Sequence, residues 1–195
     1  MKLHDDVILG KHLAMGWRDD PKRLAFTFAR YKFVAKMLQR KQNVLEVGCG
    51  DGFATQIVGQ SVGRVIGISI DSHELPDSPD FICHDILEGP LGMVFDAAYS
   101  LDCLEHIKPE FTGMFLENIK HCCKGPVIIG MPSLESQVYA SPRSKAGHVN
   151  CRSYDDLRLV MKKHFKEVFM FGMNDETLHT GYGPMCHYLI AIGVQ

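Results

Sequence analysis

Val44-Leu45-Glu46-Val47-Gly48-Cys49-Gly50-Asp51-Gly52 is the most informative stretch of this chain. Val44, Leu45 and Val47 form a short apolar run with β-branched residues, the length and composition of a buried parallel strand. The run breaks into three glycines, Gly48, Gly50 and Gly52, within five residues. Glycines so placed permit positive φ and let the backbone approach a ligand closely. Residues 53–60 then read as a helix, whose first N–H groups point at whatever lies above the turn. This is a cofactor-binding strand, loop and helix. A dinucleotide fingerprint has the spacing G-x-G-x-x-G, with the pyrophosphate on the helix N-terminus. Here the spacing is G-x-G-x-G, and Glu46 and Asp51 flank it. Two carboxylates repel a pyrophosphate and suit a cationic ligand.

A length of 195 residues predicts one domain, 1–195, large enough for a full core. The net charge of −2 and the lack of a long basic run disfavour a nucleic-acid partner. No run of eighteen apolar residues is present, so no membrane span is expected. The first residues, MKLHDDVILGKHLAMGW, lack the apolar centre of a signal peptide. Seven cysteines with no C-x-x-C pair read as reduced thiols, which predicts a cytoplasmic protein.

Working outward, residues 1–22 read as a mixed polar extension ending in the turn Asp19-Asp20-Pro21. Leu24, Phe28, Tyr31, Val34, Ala35 and Leu38 recur at helical spacing, which predicts an amphipathic helix over residues 23–39. Residues 64–71 (RVIGISID) read as a second buried strand ending in an acid, and an acid there binds a ribose diol in adenosine-cofactor folds. Asp71 takes that role, with Ser69 as the alternative. The two prolines of SHELPDSPD, residues 72–80, leave little room for a crossover helix. Further strands follow at residues 81–85, 93–100, 126–131, 166–172 and 187–193, with helices at 109–122 and from Tyr154 to His164. The last of these opens on Ser153-Tyr154-Asp155-Asp156, a capping box with Asp in place of Glu.

The glycine stretch resembles the first motif of class I S-adenosylmethionine (SAM)-dependent methyltransferases, E/D-x-G-x-G-x-G, over Glu46, Gly48, Gly50 and Gly52. Residues 100–107, SLDCLEHI, resemble the D/E-x-L-E-H segment that follows the fourth strand in many small-molecule members. The resemblance covers residues 44–195. It implies a Rossmann-like three-layer α/β/α sandwich with a mostly parallel seven-stranded sheet. The antiparallel last strand would insert between the fifth and sixth. The resemblance further implies SAM as cofactor, held by Glu46, Gly48, Cys49, Gly50, Asp51, Asp71 and Ser100, with Asp85 and the backbone near Ile86 at the adenine. The family usually has a helix where residues 72–80 lie, so this crossover is truncated.

Methyl transfer is an in-line displacement, and a hydroxyl acceptor also needs a base or a metal that lowers its pKa. On one helical turn Asp102, Glu105 and His106 would share a face and could hold a magnesium-like divalent cation. Metal-free, His106 is the candidate base. His148, in the long polar segment 133–152 at the ligand edge, is the other candidate base or a further metal ligand. His179 and Tyr182 have a weaker claim from the last loop. The N/D-P-P-Y/F signature of amino-base methylation and the Pro-Cys signature of cytosine methylation are both missing. The expectation is therefore methyl transfer from SAM to a small-molecule hydroxyl, on a sugar, a phenol or a biosynthetic intermediate. The rival expectations are a methyltransferase-like fold that binds a partner without catalysis, and a nicotinamide-dependent oxidoreductase. The oligomeric state is left open.

Overall fold

The structure is a computed structural model that describes residues 9–195. The part of the N-terminal extension before residue 9, His4 included, lies outside the described residues. Within the described part of the extension the chain forms α1 (Lys11–Asp19), a helix that the polar composition did not announce.

Eight strands form one sheet: β1 (Asn43–Val47), β2 (Arg64–Ser69), β3 (Phe81–Cys83), β4 (Ala97–Leu101), β5 (Val127–Pro132), β6 (Glu167–Asn174), β7 (Thr177–His179) and β8 (Tyr188–Val194). Their order is β3-β2-β1-β4-β5-β8-β6-β7. β1 to β5 pair in parallel, and β8 inserts antiparallel between β5 and β6. This is the Rossmann-like sheet expected, with one strand more. The extra strand, β7, folds back on β6 as a hairpin and closes that edge. Three polar residues of the hairpin, Asn174, Asp175 and Glu176, hid it in the sequence. Asp175 takes the left-handed turn at φ 51°.

Apolar runs such as Val44-Leu45 and Val127-Ile128-Ile129 are buried on both faces, as strands between two helical layers must be. One layer holds α2 (Lys22–Met37) and α3 (Thr55–Gly59). Val34 and Leu38 of the first helical segment pack with Val44, Val58 and Ile128. The other layer holds α4 (Thr112–His121) and α6 (Tyr154–His164), whose Phe115, Ile119, Leu157 and Met161 pack on Leu45, Ile129 and Leu189. Full burial of each such aliphatic side chain contributes about 1.5–3 kcal/mol.

Several boundaries move. β2 stops at Ser69, two residues before Asp71, and no helix joins β2 to β3. β4 begins at Ala97, since Met93 and Val94 are exposed. The segment 133–152 is not structureless: it carries a 3-10 turn at Glu135–Tyr139 and α5 (Pro142–Gly147). Ser153 caps α6 by accepting the Asp156 N–H at 3.2 Å, and its hydroxyl donates back to the Asp156 carboxylate at 2.7 Å.

Asp96 ties the strands together at the edge away from the glycine turn. Its carboxylate accepts the backbone N–H groups of Asn43 at 3.0 Å and Gln42 at 2.8 Å. Those bonds, Asn43 first, hold its pKa below the ordinary Asp value. The stabilisation is therefore present above the unfolded value of about 3.9 and is lost as pH falls through the lower folded value. Asp96→Asn should flatten the acid limb of a melting-temperature profile between roughly pH 4 and 2. An unchanged acid limb would refute this.

Candidate active site

The turn after β1 is built as its glycines require. Gly48, Gly50 and Gly52 have φ of 82°, 55° and 65°, a region costly for any side chain. The N–H groups of Gly48 and Cys49 both reach the Ile68 carbonyl at the end of β2, at 2.9 and 3.0 Å. Above Gly50 the space is open: a Cβ there would meet nothing nearer than a His12 ring carbon at 3.7 Å.

Glu46 supports this turn from below. It is 1% exposed, and its carboxylate accepts hydroxyl donors from Thr55 at 2.5 Å, Tyr99 at 2.8 Å and Tyr31 at 2.9 Å. Burial raises its pKa and the three hydroxyls oppose that rise. Glu46 thus binds β1 to α2, α3 and β4 and does not line the cavity above.

That cavity, about 620 Å³, opens at the carboxyl ends of the parallel strands. Gly48, Cys49, Gly50 and Asp51 form one wall. Asp102, Glu105 and His106 form the second, and Ser141, Arg143, Gly147 and His148 of the long segment form the third. α1 covers it. Lys11 and His12 bind Glu74 at 2.6 and 2.9 Å, and the His12 N–H reaches Asp51 at 3.3 Å. Glu74, from the truncated crossover, is an acid the sequence gave no reason to choose, because its partners lie more than sixty positions away.

Asp102, Glu105 and His106 do not share a helical face. Asp102 ends β4 with φ 52°, and only Leu104–His106 form a 3-10 turn. The Asp102 carboxylate instead takes both bonds from Arg30 Nη1, at 3.0 and 2.9 Å. Arg30 also lies 3.8 Å over the Tyr188 ring. Glu105 turns inward and is buried, with Oε2 lacking any partner among the described residues. Burial first, and the charge of Asp102 second, push its pKa well above the ordinary carboxylate value.

The third member of the cluster is His148. Its ring lies 5.2 Å from that of His106, and the ligand atoms of Glu105, His106 and His148 are all within 4.8 Å of one another. The backbone makes the meeting: the Glu105 carbonyl accepts the N–H groups of Val149 at 2.8 Å and Asn150 at 3.0 Å. Asn150 then ties to Thr112 at 2.9 Å and to the Leu104 carbonyl at 3.3 Å. Each imidazole is fixed from behind. His106 Nδ1 faces the Gly147 carbonyl at 2.9 Å, and His148 Nδ1 faces Gln137 Oε1 at 2.8 Å. Both oxygens only accept, so both Nδ1 atoms carry hydrogen and both Nε2 lone pairs are free. Burial lowers the His148 pKa, aided by His106, which favours the neutral ring at neutral pH.

The other expected residues lie outside the cavity lining. Asp71 is exposed and accepts the His73 N–H at 2.9 Å. Asp85 accepts the Leu87 N–H at 2.8 Å, and the Ile86 carbonyl accepts from Asn118 at 2.7 Å. Ser100 is buried and donates to the Val47 carbonyl at 2.8 Å. His179 turns to Asn174 at 2.8 Å, and Tyr182 is exposed.

Arg30→Ala should leave Asp102 beside Glu105 without its counter-charge. With Asp102 partly exposed, the expected loss is about 1–3 kcal/mol. A melting temperature within a degree of the unaltered protein would contradict the assignment.

Among proteins of known activity, the chain is similar to "Ribosomal RNA large subunit methyltransferase E" of Desulfatibacillum aliphaticivorans. The two are 33% identical over 127 residues, covering 54% of this chain and 57% of that one. The match thus spans little more than half the length of that relative. Many solved structures share the fold, and two of them serve as examples. One is the N-methyltransferase NodS of Bradyrhizobium japonicum WM9, at a TM-score of 0.62 and 14% identity, covering 91% of this chain and 98% of that one. The other is magnesium protoporphyrin IX methyltransferase of Synechocystis PCC 6803 with bound SAH, at 0.64 and 16%, covering 98% and 90%. The profile of the family described as a methyltransferase domain matches residues 17–164, from α1 through the glycine turn and the Glu105-His106-His148 cluster to the end of α6, and the chain belongs to that family.

Proposed function

We propose that this methyltransferase uses SAM to methylate a hydroxyl group on a small molecule, with a divalent cation held by Glu105, His106 and His148. The observation that carries the reading is the meeting of buried Glu105, whose Oε2 lacks a partner among the described residues, with His106 and His148, one potential ligand atom of each lying within 4.8 Å of the others. A buried carboxylate without a partner is costly, and one carboxylate with two such imidazoles is a donor set suited to a divalent metal. The residues therefore fit the ion.

SAM fits the opposite wall: the open space over Gly50 admits backbone-to-cofactor contact, and Asp51 offers negative charge to a sulfonium and an ammonium. When bound, the cation would lower the pKa of the acceptor hydroxyl, and SAM would supply the methyl group. The chain's own residues do the rest. Gly147 and Gln137 orient the imidazoles, Asp102 stands beside Glu105 on the second wall, and α1 covers the cavity against water. Without metal, His148 Nε2 is the base, since its neutral form is favoured.

The cavity of about 620 Å³ lies in the range for small ligands, which supports a small acceptor. An RNA hydroxyl is the second reading, favoured by the similarity to a protein named as a ribosomal RNA methyltransferase. An inactive partner subunit is the third, and the built glycine turn speaks against it.

Calorimetry with S-adenosylhomocysteine, with and without a chelator, tests the reading. Micromolar binding of that compound and not of NAD is expected. Separate titration of metal into the apo protein should give one site. Absence of binding by either nucleotide would remove the enzymatic reading and point to a partner-binding role.

A further inference from the structure

The mouth of the cavity carries two cations with no carboxylate assigned to them. Arg23, near the start of α2, and Arg143, in α5, both line it and both are exposed. Neither makes an ion pair among the described residues; Arg143 reaches only the Met15 sulfur at 3.5 Å. Two of the deeper acids are engaged, Asp102 by Arg30 and Asp51 by the N–H groups of Phe53 and His12, and the third, Glu105, is buried in the cluster with His106 and His148. Asp19 is the one carboxylate left at the mouth. Arg23 and His148 line the same cavity, so this cation shares its space with the Glu105, His106 and His148 cluster.

Resting on the reading above, we propose that the acceptor carries a phosphate group, which Arg23 and Arg143 grip at the mouth while the hydroxyl lies at Glu105, His106 and His148. Two guanidiniums brought by different elements suit a tetrahedral group better than a planar one. A carboxylate is satisfied by one bidentate arginine, whereas a phosphate presents further oxygens to a second. Ser141 and Ser144, which also line the cavity, share a hydroxyl–hydroxyl hydrogen bond at 3.0 Å, which leaves one hydroxyl proton as a donor beside Arg143.

The test is calorimetry of the full chain in chelator, so that no metal competes for phosphate, with and without S-adenosylhomocysteine. The probes are ribose 5-phosphate, ribose, and a single-stranded oligoribonucleotide of three residues. Ribose 5-phosphate should bind and ribose should not. Arg23→Ala/Arg143→Ala should weaken the phosphate probes about tenfold or more, with S-adenosylhomocysteine affinity and melting temperature retained. Asp19→Asn should tighten them. Equal affinity for the sugar phosphate and the trinucleotide marks a small phosphorylated acceptor. A trinucleotide preference with a steeper salt dependence marks a nucleic-acid end. Failure of both phosphate probes to bind, or binding indifferent to the double substitution, overturns the proposal. Failure of S-adenosylhomocysteine alone strikes the donor and leaves the phosphate result readable.

Discussion

Gly50→Val is expected to abolish binding of S-adenosylhomocysteine while leaving the chain folded. Gly50 sits at φ 55° with open space above it, so the substitution meets no protein wall. The added side chain fills the volume assigned to the cofactor. A β-branched residue in the left-handed region also costs about 1–2 kcal/mol, which a domain of this size survives. Calorimetry should show affinity reduced by about a hundredfold or more, and circular dichroism a cooperative melt a few degrees lower. Gly48 is a poorer test, because a Cβ there would lie 2.7 Å from the Cys103 sulfur and would disturb the turn itself. Retained affinity in Gly50→Val would refute the placement of the cofactor over this turn.

Glu105→Gln should have the second large effect, and in two opposite directions. Metal uptake should be lost, and methyl transfer to a hydroxyl acceptor should fall by about two orders of magnitude or more. The metal-free protein, in contrast, should become more stable. Its buried carboxylate has an oxygen without a partner and lies next to the charge of Asp102. Folding must either bury that charge or protonate the group, and a neutral amide of the same shape avoids both costs, a gain of about 1–3 kcal/mol. A structural role for Glu105 predicts the reverse, lower stability with metal uptake intact, so melting curves and metal titration together separate the two. His106→Ala should lose metal with little change in melting temperature, since its ring is exposed and, among the described residues, is held by one hydrogen bond to Gly147 and an edge contact with His148.

The strand and turn at residues 44–52 were legible in the sequence because their causes are local. An apolar β-branched run and three glycines at positive φ state their conformation within nine residues. The strand order was legible through resemblance, since the insertion of β8 between β5 and β6 has no local signal. Glu105 and His106 were legible as a pair because they are neighbours, but their true companion was decided elsewhere. The expected helical face placed Asp102 with them. Folding gave Asp102 to Arg30, 72 positions away, and brought in His148 from a loop sewn to the Glu105 carbonyl.

The same division holds across the site. The amino-acid sequence by itself determined a sheet with a glycine turn at its ligand edge, since periodicity and backbone conformation are written in adjacent residues. The tertiary structure alone decided that Glu46 is sealed under three hydroxyls, that α1 is pinned over the turn by Glu74, and that two histidines come within 4.8 Å of one buried carboxylate. Those arrangements depend on which distant groups burial leaves without water. A buried charge or lone pair takes its partner from whatever the packed elements bring within about 3 Å, wherever that partner lies in the chain.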